Sequence, residues 1–144
     1  TFQSGDESYA IPIHYVNEII GLQKITEVPE TANYIKGLIN LRGKIIPVID
    51  VRLRFGKEPL EYNDRTCVIV ITVNKVVVGL IVDTIADVVN IAEENIVPPP
   101  HMVNNNGAQR FVYGIGKIGD EVKLLIDPAN LISDEEQELL ESLH

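Results

Sequence analysis

The run Gly114-Ile115-Gly116-Lys117-Ile118-Gly119 has the spacing of a glycine loop that cradles a dinucleotide. Such a loop works only when a helix follows, because the helix N-terminus must face the pyrophosphate. Here Asp120-Glu121-Val122-Lys123-Leu124-Leu125-Ile126 follows, which alternates and then runs apolar like a strand. The glycines therefore belong to a hairpin, and no nucleotide cofactor is expected. His14, His101 and His144 have no second His or Cys at metal-ligand spacing, so no metal site is expected either. No serine sits in a nucleophile elbow. The acidic pairs Glu93-Glu94 and Asp134-Glu135-Glu136 read as helix-start and solvated charges. An enzyme built on dispersed acids would need Glu18, Glu27 and Asp50 to converge in one polar pocket.

A more informative constellation is Asn40-Leu41-Arg42-Gly43-Lys44, set between two very apolar runs. A hairpin tip needs Gly or Asn for its backbone, so Gly43 has a purely structural role. Turn chemistry does not ask for Arg42. Its guanidinium reads either as a solvated turn charge or, displayed on a rigid tip, as an anchor for a partner carboxylate or backbone carbonyl.

The elements that must carry these residues come in two sets. Shifted by 69 positions, Val16, Glu18, Ile19 and Val28-Pro29 fall on Ile85, Asp87, Val88 and Val97-Pro98. Beyond extra residues around His101–Gln109 the shift becomes 77, and Gly37, Leu41, Ile45, Val48-Ile49 and Asp50 meet Gly114, Ile118, Val122, Leu125-Ile126 and Asp127. The extra segment contains Asn104-Asn105-Asn106-Gly107, the composition of an inserted loop. The chain thus reads as two β-rich modules in tandem, too few for a solenoid, which must bury their cores against each other.

Strands are expected over Thr1–Ser4, Glu7–Ile13, Ile35–Leu41, Lys44–Ile49, Thr66–Val73, Val76–Val82, Gln109–Lys117 and Glu121–Ile126. Val16-Asn17-Glu18-Ile19-Ile20 has helical spacing and predicts a short helical turn. Ile25–Val28 reads as extended, Thr84–Ile91 as extended or turning once, and Ala92–Asn95 as a helical turn. Asp50 is an N-cap type residue opening a short helix that ends before Gly56, and Asp127–Ile132 should match it. Ser133 and Glu136 form a capping box for a terminal helix whose apolar face is Leu139, Leu140 and Leu143. The expected architecture is mainly all-β: two small antiparallel barrels sharing one hydrophobic seam, with short helices and a C-terminal helix. The 144 residues would form one domain of two lobes, about 15–65 and about 66–130, with the N-terminal strands and C-terminal helix crossing between or flanking them.

Composition narrows the function. The net charge is −9, which opposes nucleic-acid binding, and Arg42, Lys44, Arg52, Arg54 and Lys57 make a basic cluster too small to track phosphates. No run of 18 apolar residues is present, so no membrane insertion is expected. The single Cys67 lies in an apolar run and reads as a buried structural thiol in a reducing, cytoplasmic setting.

At three segments the chain resembles a known family. Tyr34–Asp50, Tyr9–Ile19 with its Val16-x-Glu18-Ile19 element, and Val78–Asp83 look like the signature of the CheW-like domains of bacterial chemotaxis. The resemblance runs from Thr1 to the terminal helix, and the first strand, Thr1–Ser4, is expected to be shorter than its counterpart Thr66–Val73. It implies two SH3-like β-barrels around a shared hydrophobic centre, no catalysis and no cofactor. It also implies a cytoplasmic adaptor recruited to membrane-bound chemoreceptor arrays. Such an adaptor couples the cytoplasmic tip of transmembrane chemoreceptors, held in a groove near the barrel boundary, to the regulatory domain of a CheA-type histidine kinase. The family's binding positions fall on Val16, Glu18, Ile19, Asn40, Leu41, Arg42 and the turn residue Gly43. A regulatory-domain fragment of a CheA-type kinase, or the adaptor domain of a CheV-like protein, would carry the same signature.

Overall fold

The structure is a computed structural model and describes residues 1–4, 7–27, 35–54, 61–73, 75–85, 91, 93–98 and 112–128. The expected turn at Gly5-Asp6, the inserted loop, most of the helix from Asp127 and the terminal helix lie outside the described residues.

Eleven strands are described: β1 (Phe2–Ser4), β2 (Glu7–Ala10), β3 (Val16–Gly21), β4 (Ile35–Leu41), β5 (Lys44–Asp50), β6 (Cys67–Val73), β7 (Val76–Val82), β8 (Thr84–Ile85), β9 (Ile96–Val97), β10 (Val112–Ile118) and β11 (Glu121–Ile126). Helical structure among the described residues is limited to α1 (Val51–Arg54), 3-10 turns at Ile13–Tyr15 and Glu93–Asn95, and the 3-10 residue Pro128. The strands are Val- and Ile-rich, as a core with few aromatics requires. In β6 and β7 the buried positions are nearly continuous, because both strands are covered on both faces.

Two sheets form. One has the order β3-β6-β7-β5-β4, the other β8-β1-β2-β11-β10-β9. The duplication governs their registers. Phe2 pairs with Tyr9 as Ile71 pairs with Val78, and Phe2 pairs with Ile85 as Ile71 pairs with Val16. Leu125 lies opposite Ala10 as Val48 lies opposite Gly79, and Gly114 faces Leu125 as Gly37 faces Val48. Even the register shifts coincide, at Ile35/Gly37 and at Val112/Gly114. Every one of these matches is at the shift of 69 or 77 read from the sequence.

The sheets do not divide the chain near residue 66. The opening hairpin β1–β2 joins the later strands β8–β11, and its counterpart β6–β7 joins β3–β5. Each copy has handed its first hairpin to the other. The exchange also explains why each otherwise antiparallel sheet contains one parallel pair, β5 with β7 and β11 with β2. Backbone bonds of 2.8 Å in both directions between Thr26 and Leu38 carry the chain after β3 onto β4, closing the five-stranded sheet into a barrel. β9 does the same against β10.

One core is the shared seam. Phe2, Tyr9 and Ile126 of one sheet pack with Ile49, Ile71, Val78 and Leu80 of the other, all buried. Phe2 and Tyr9 stack with ring centroids 5.5 Å apart. A second core, Ile39, Ile46, Val48, Val68, Val70 and Ile81, fills the first barrel. Cys67 differs from expectation. It begins β6 only half-buried against the seam, and its thiol donates to the Arg65 carbonyl at 3.2 Å.

Candidate functional site

Val16–Ile20 is not a helical turn but part of β3, the edge strand paired to β6. The i, i+3 spacing of Val16 and Ile19 has another cause. In a regular strand these two side chains would point to opposite faces. A register shift between Val16 and Glu18 inserts one extra residue, so that Val16 pairs with Ile71 while Glu18 pairs with Val70. Val16 and Ile19 then share a face, and Glu18 is turned to the other.

The face with Val16 and Ile19 opens into an apolar groove of about 260 Å³ between the two sheets. Its lining includes Ile69 of β6, Ile85 of β8, Leu125 of β11, and Ile91 and Ile96 before β10. At its rim stand three large apolar side chains in water: Ile13 at 64%, Ile19 at 48% and Tyr113 at 47% exposure. Single exposed apolar residues are ordinary, whereas three around one groove make a shared apolar patch. Ile13 and Tyr113 were not legible in the sequence, since nothing in their local pattern separates them from core positions. Burial raises the Tyr113 phenol above its ordinary range, with the Asp127 carboxylate and then Tyr15 adding to the effect.

Across the edge strand, Glu18 forms an ion pair with Arg42 at the tip of the β4–β5 hairpin. Leu41 and Lys44 close that hairpin around the two-residue turn Arg42-Gly43, with φ of 51° and 88°. Two positive φ values define a primed turn matched to strand twist, and glycine suits the second position. Arginine does not suit the first, where a left-handed conformation costs about 1–2 kcal/mol. Asn40 supports the turn by accepting from the Gly43 N–H at 2.9 Å. Leu41 is half-buried against the barrel core and anchors the hairpin from inside. The seven sequence-derived positions thus split into two groups on opposite faces of β3. Val16 and Ile19 line the groove, while Glu18, Asn40, Arg42 and Gly43 build the charged tip over Leu41.

Asp50 has a different task. Its Oδ1 accepts from the Arg52 N–H at 2.9 Å and, more weakly, from Leu53 at 3.4 Å, capping α1. Its Oδ2 accepts from the Tyr62 hydroxyl at 2.7 Å, tying the inter-copy link to the barrel. Beside it Arg52 meets Asp83 at 3.0 Å. The recess at Asp50 is lined by Arg52, Glu61, Tyr62, Asn63 and Asp83 but by neither Glu18 nor Glu27, so the three acids do not share a pocket. Burial, then donation to Asp50, then the charge of that carboxylate hold the Tyr62 phenol well above its ordinary 10.0. The folded state therefore favours the neutral phenol. That contribution to stability is present below the unfolded value and is lost as pH rises above it, because the unfolded chain then releases a proton that the folded chain keeps. Tyr62→Phe should accordingly show a shallower loss of stability than the parent between about pH 9 and about pH 11 in urea titrations. Parallel curves would mean that the phenol ionises alike in both states.

This geometry has known relatives. The chain matches the CheW-like domain over residues 1–136. It belongs to the CheW-like family. The chemotaxis protein CheW of Klebsiella aerogenes is 37% identical over 142 residues, covering 99% of this chain and 85% of the relative. The CheW of Helicobacter pylori is 37% identical over 125 residues, covering 87% and 74%. The crystal structure of the scaffolding protein CheW from Thermoanaerobacter tengcongensis superposes with a TM-score of 0.86 at 37% identity, covering 96% of this chain and 94% of the other. The two-barrel CheW-like fold and a scaffolding place in chemotaxis signalling follow from this membership. Among the described residues no helix is long and apolar enough to cross a membrane.

Proposed function

We propose that this chain is a non-catalytic cytoplasmic adaptor. It couples the cytoplasmic tip of transmembrane chemoreceptors to the regulatory domain of a CheA-type histidine kinase within membrane-bound receptor arrays. The observation that carries this reading is the groove between the sheets, into which a bulged edge strand turns both Val16 and Ile19. A receptor tip is a pair of amphipathic helices, and helices of that kind lay their apolar face into such a groove. The hairpin tip adds a separate polar anchor. Arg42 is held at an unfavourable backbone angle and steadied by Glu18, an outlier that argues for use.

The test is calorimetric titration of this protein with the regulatory domain of its kinase and with a soluble cytoplasmic receptor fragment. Saturable 1:1 binding to each is expected, and a folded sample that binds neither would overturn the proposal. Arg42→Ala should weaken a partner complex by about 2 kcal/mol. Stability should scarcely change, because the Glu18–Arg42 pair is 32% and 68% exposed and such pairs contribute little. Arg42→Gly removes the same guanidinium and relieves the backbone angle. Both variants binding like the parent would remove Arg42 from the site.

A further inference from the structure

The glycine run of β10 leads into the strand β11 and not into a helix, and Gly114 and Gly116 are both buried. Comparison of the two copies gives Gly116 a task. Its counterpart at the shift of 77 is Ile39, which is 1% exposed and fills the core of the first barrel. In the second barrel that side chain is missing, and neighbouring space is taken differently. A Cβ on Gly116 would lie 2.8 Å from Ile91 Cδ1, 3.3 Å from Ile91 Cγ2 and 3.4 Å from Leu125 Cδ2. Ile91 and Leu125 both line the groove. They are therefore sandwiched between β10 and the groove, with their backs against the bare glycine. Gly114 acts similarly behind Ile96, whose Cγ2 would be 3.1 Å from an added Cβ. The first barrel is filled at this position by Ile39; in the second, Ile91 and Leu125 lie against the bare glycine.

We infer that Gly116 is a specificity-determining residue of the groove: lacking a side chain, it lets Ile91 lie back against β10 and so preserves the depth into which a partner's apolar side chain inserts. The inference rests on the proposal that the groove takes the receptor tip. Nothing in the backbone requires glycine here, because Gly116 is not among the residues with positive φ. The constraint is steric, and Ile91, which lines the groove, is the side chain that must shift. Close-packed surroundings transmit even a methyl group.

The experiment compares four chains: the parent, Gly116→Ala, Ile91→Val and Gly116→Ala with Ile91→Val. Each is titrated calorimetrically with a soluble cytoplasmic chemoreceptor fragment and, separately, with the kinase regulatory domain. Gly21→Ala is the control, since an added Cβ there meets nothing within 4 Å. Gly116→Ala should bind the receptor fragment about tenfold more weakly, with kinase binding and the melting temperature near those of the parent. Ile91→Val deletes Cδ1, the atom in the closest contact, and should restore receptor binding in the double variant. Parent-like binding by Gly116→Ala overturns the inference. So does a loss, of binding or of fold, that Ile91→Val does not repair, and so does an equal loss toward both partners. If the parent itself fails to bind the receptor fragment, the coupling proposal falls and the inference with it.

Discussion

Gly37→Ala should destabilise the fold by about 3 kcal/mol or more, the largest effect expected of any single methyl in the described chain. An added Cβ would lie 2.1 Å from the Thr26 carbonyl oxygen, 2.8 Å from its carbon and 2.9 Å from Ile25 Cγ2. The nearest atoms are backbone, so no rotamer change relieves them. Moving that backbone breaks the paired 2.8 Å bonds between Thr26 and Leu38, which close the first barrel. Gly37 also has φ of 147°, a region side chains avoid, at the register shift of β4. Its counterpart Gly114 is a useful contrast. There the nearest atom is a side-chain methyl, Ile96 Cγ2, at 3.1 Å, the nearest backbone atom is the Val97 oxygen at an ordinary 3.4 Å, and its φ is not positive. Gly114→Ala should therefore be far milder. Urea unfolding followed by far-UV circular dichroism would decide, and a loss below about 1 kcal/mol for Gly37→Ala would show that the barrel closure yields easily.

Ile19→Asp should abolish most binding of a receptor fragment, by about 3 kcal/mol, more than a hundredfold. Ile19 pairs with Ile69 on the neighbouring strand, and both line the groove. In the free protein it is 48% exposed, so a carboxylate there stays solvated and the fold should tolerate it. In a complex the same carboxylate would be stripped of water inside an apolar seat with no cation to meet it. The effect exceeds that expected for Arg42→Ala, which removes an anchor without burying a charge. Ile19→Val, which keeps the apolar surface, should bind nearly as well as the parent. Calorimetry with the two variants gives the answer, and similar affinities for Asp and Val would place the receptor elsewhere. Unfolding curves recorded alongside separate binding from stability.

Much of the plan was legible before any coordinates. Ile35–Leu41 and Val76–Val82 are strands with the expected bounds, Arg42-Gly43 is the turn between β4 and β5, and Asp50 caps a short helix. These follow from period-two burial, turn chemistry and capping, each decided within a few residues. The Val16–Ile20 segment was misread for a reason that is itself local. Spacing of i, i+3 fits a helical face and also a bulged strand, and only the partner strand β6 distinguishes them.

By itself the sequence determined the duplication, the turns, the apolar strands and the resemblance to CheW-like domains, because composition and short-range spacing carry all of these. The hairpin exchange was decided only in three dimensions. β1–β2 and β6–β7 have the same local pattern whichever sheet they join, and their choice rests on the packing of the shared seam. The groove was decided there too. Ile19 and Ile20 are the same residue type in adjacent positions, yet one lines an open groove and the other packs on the barrel core. That difference comes from the sum of distant neighbours around each side chain, including the space left by Gly116 where the other copy has Ile39.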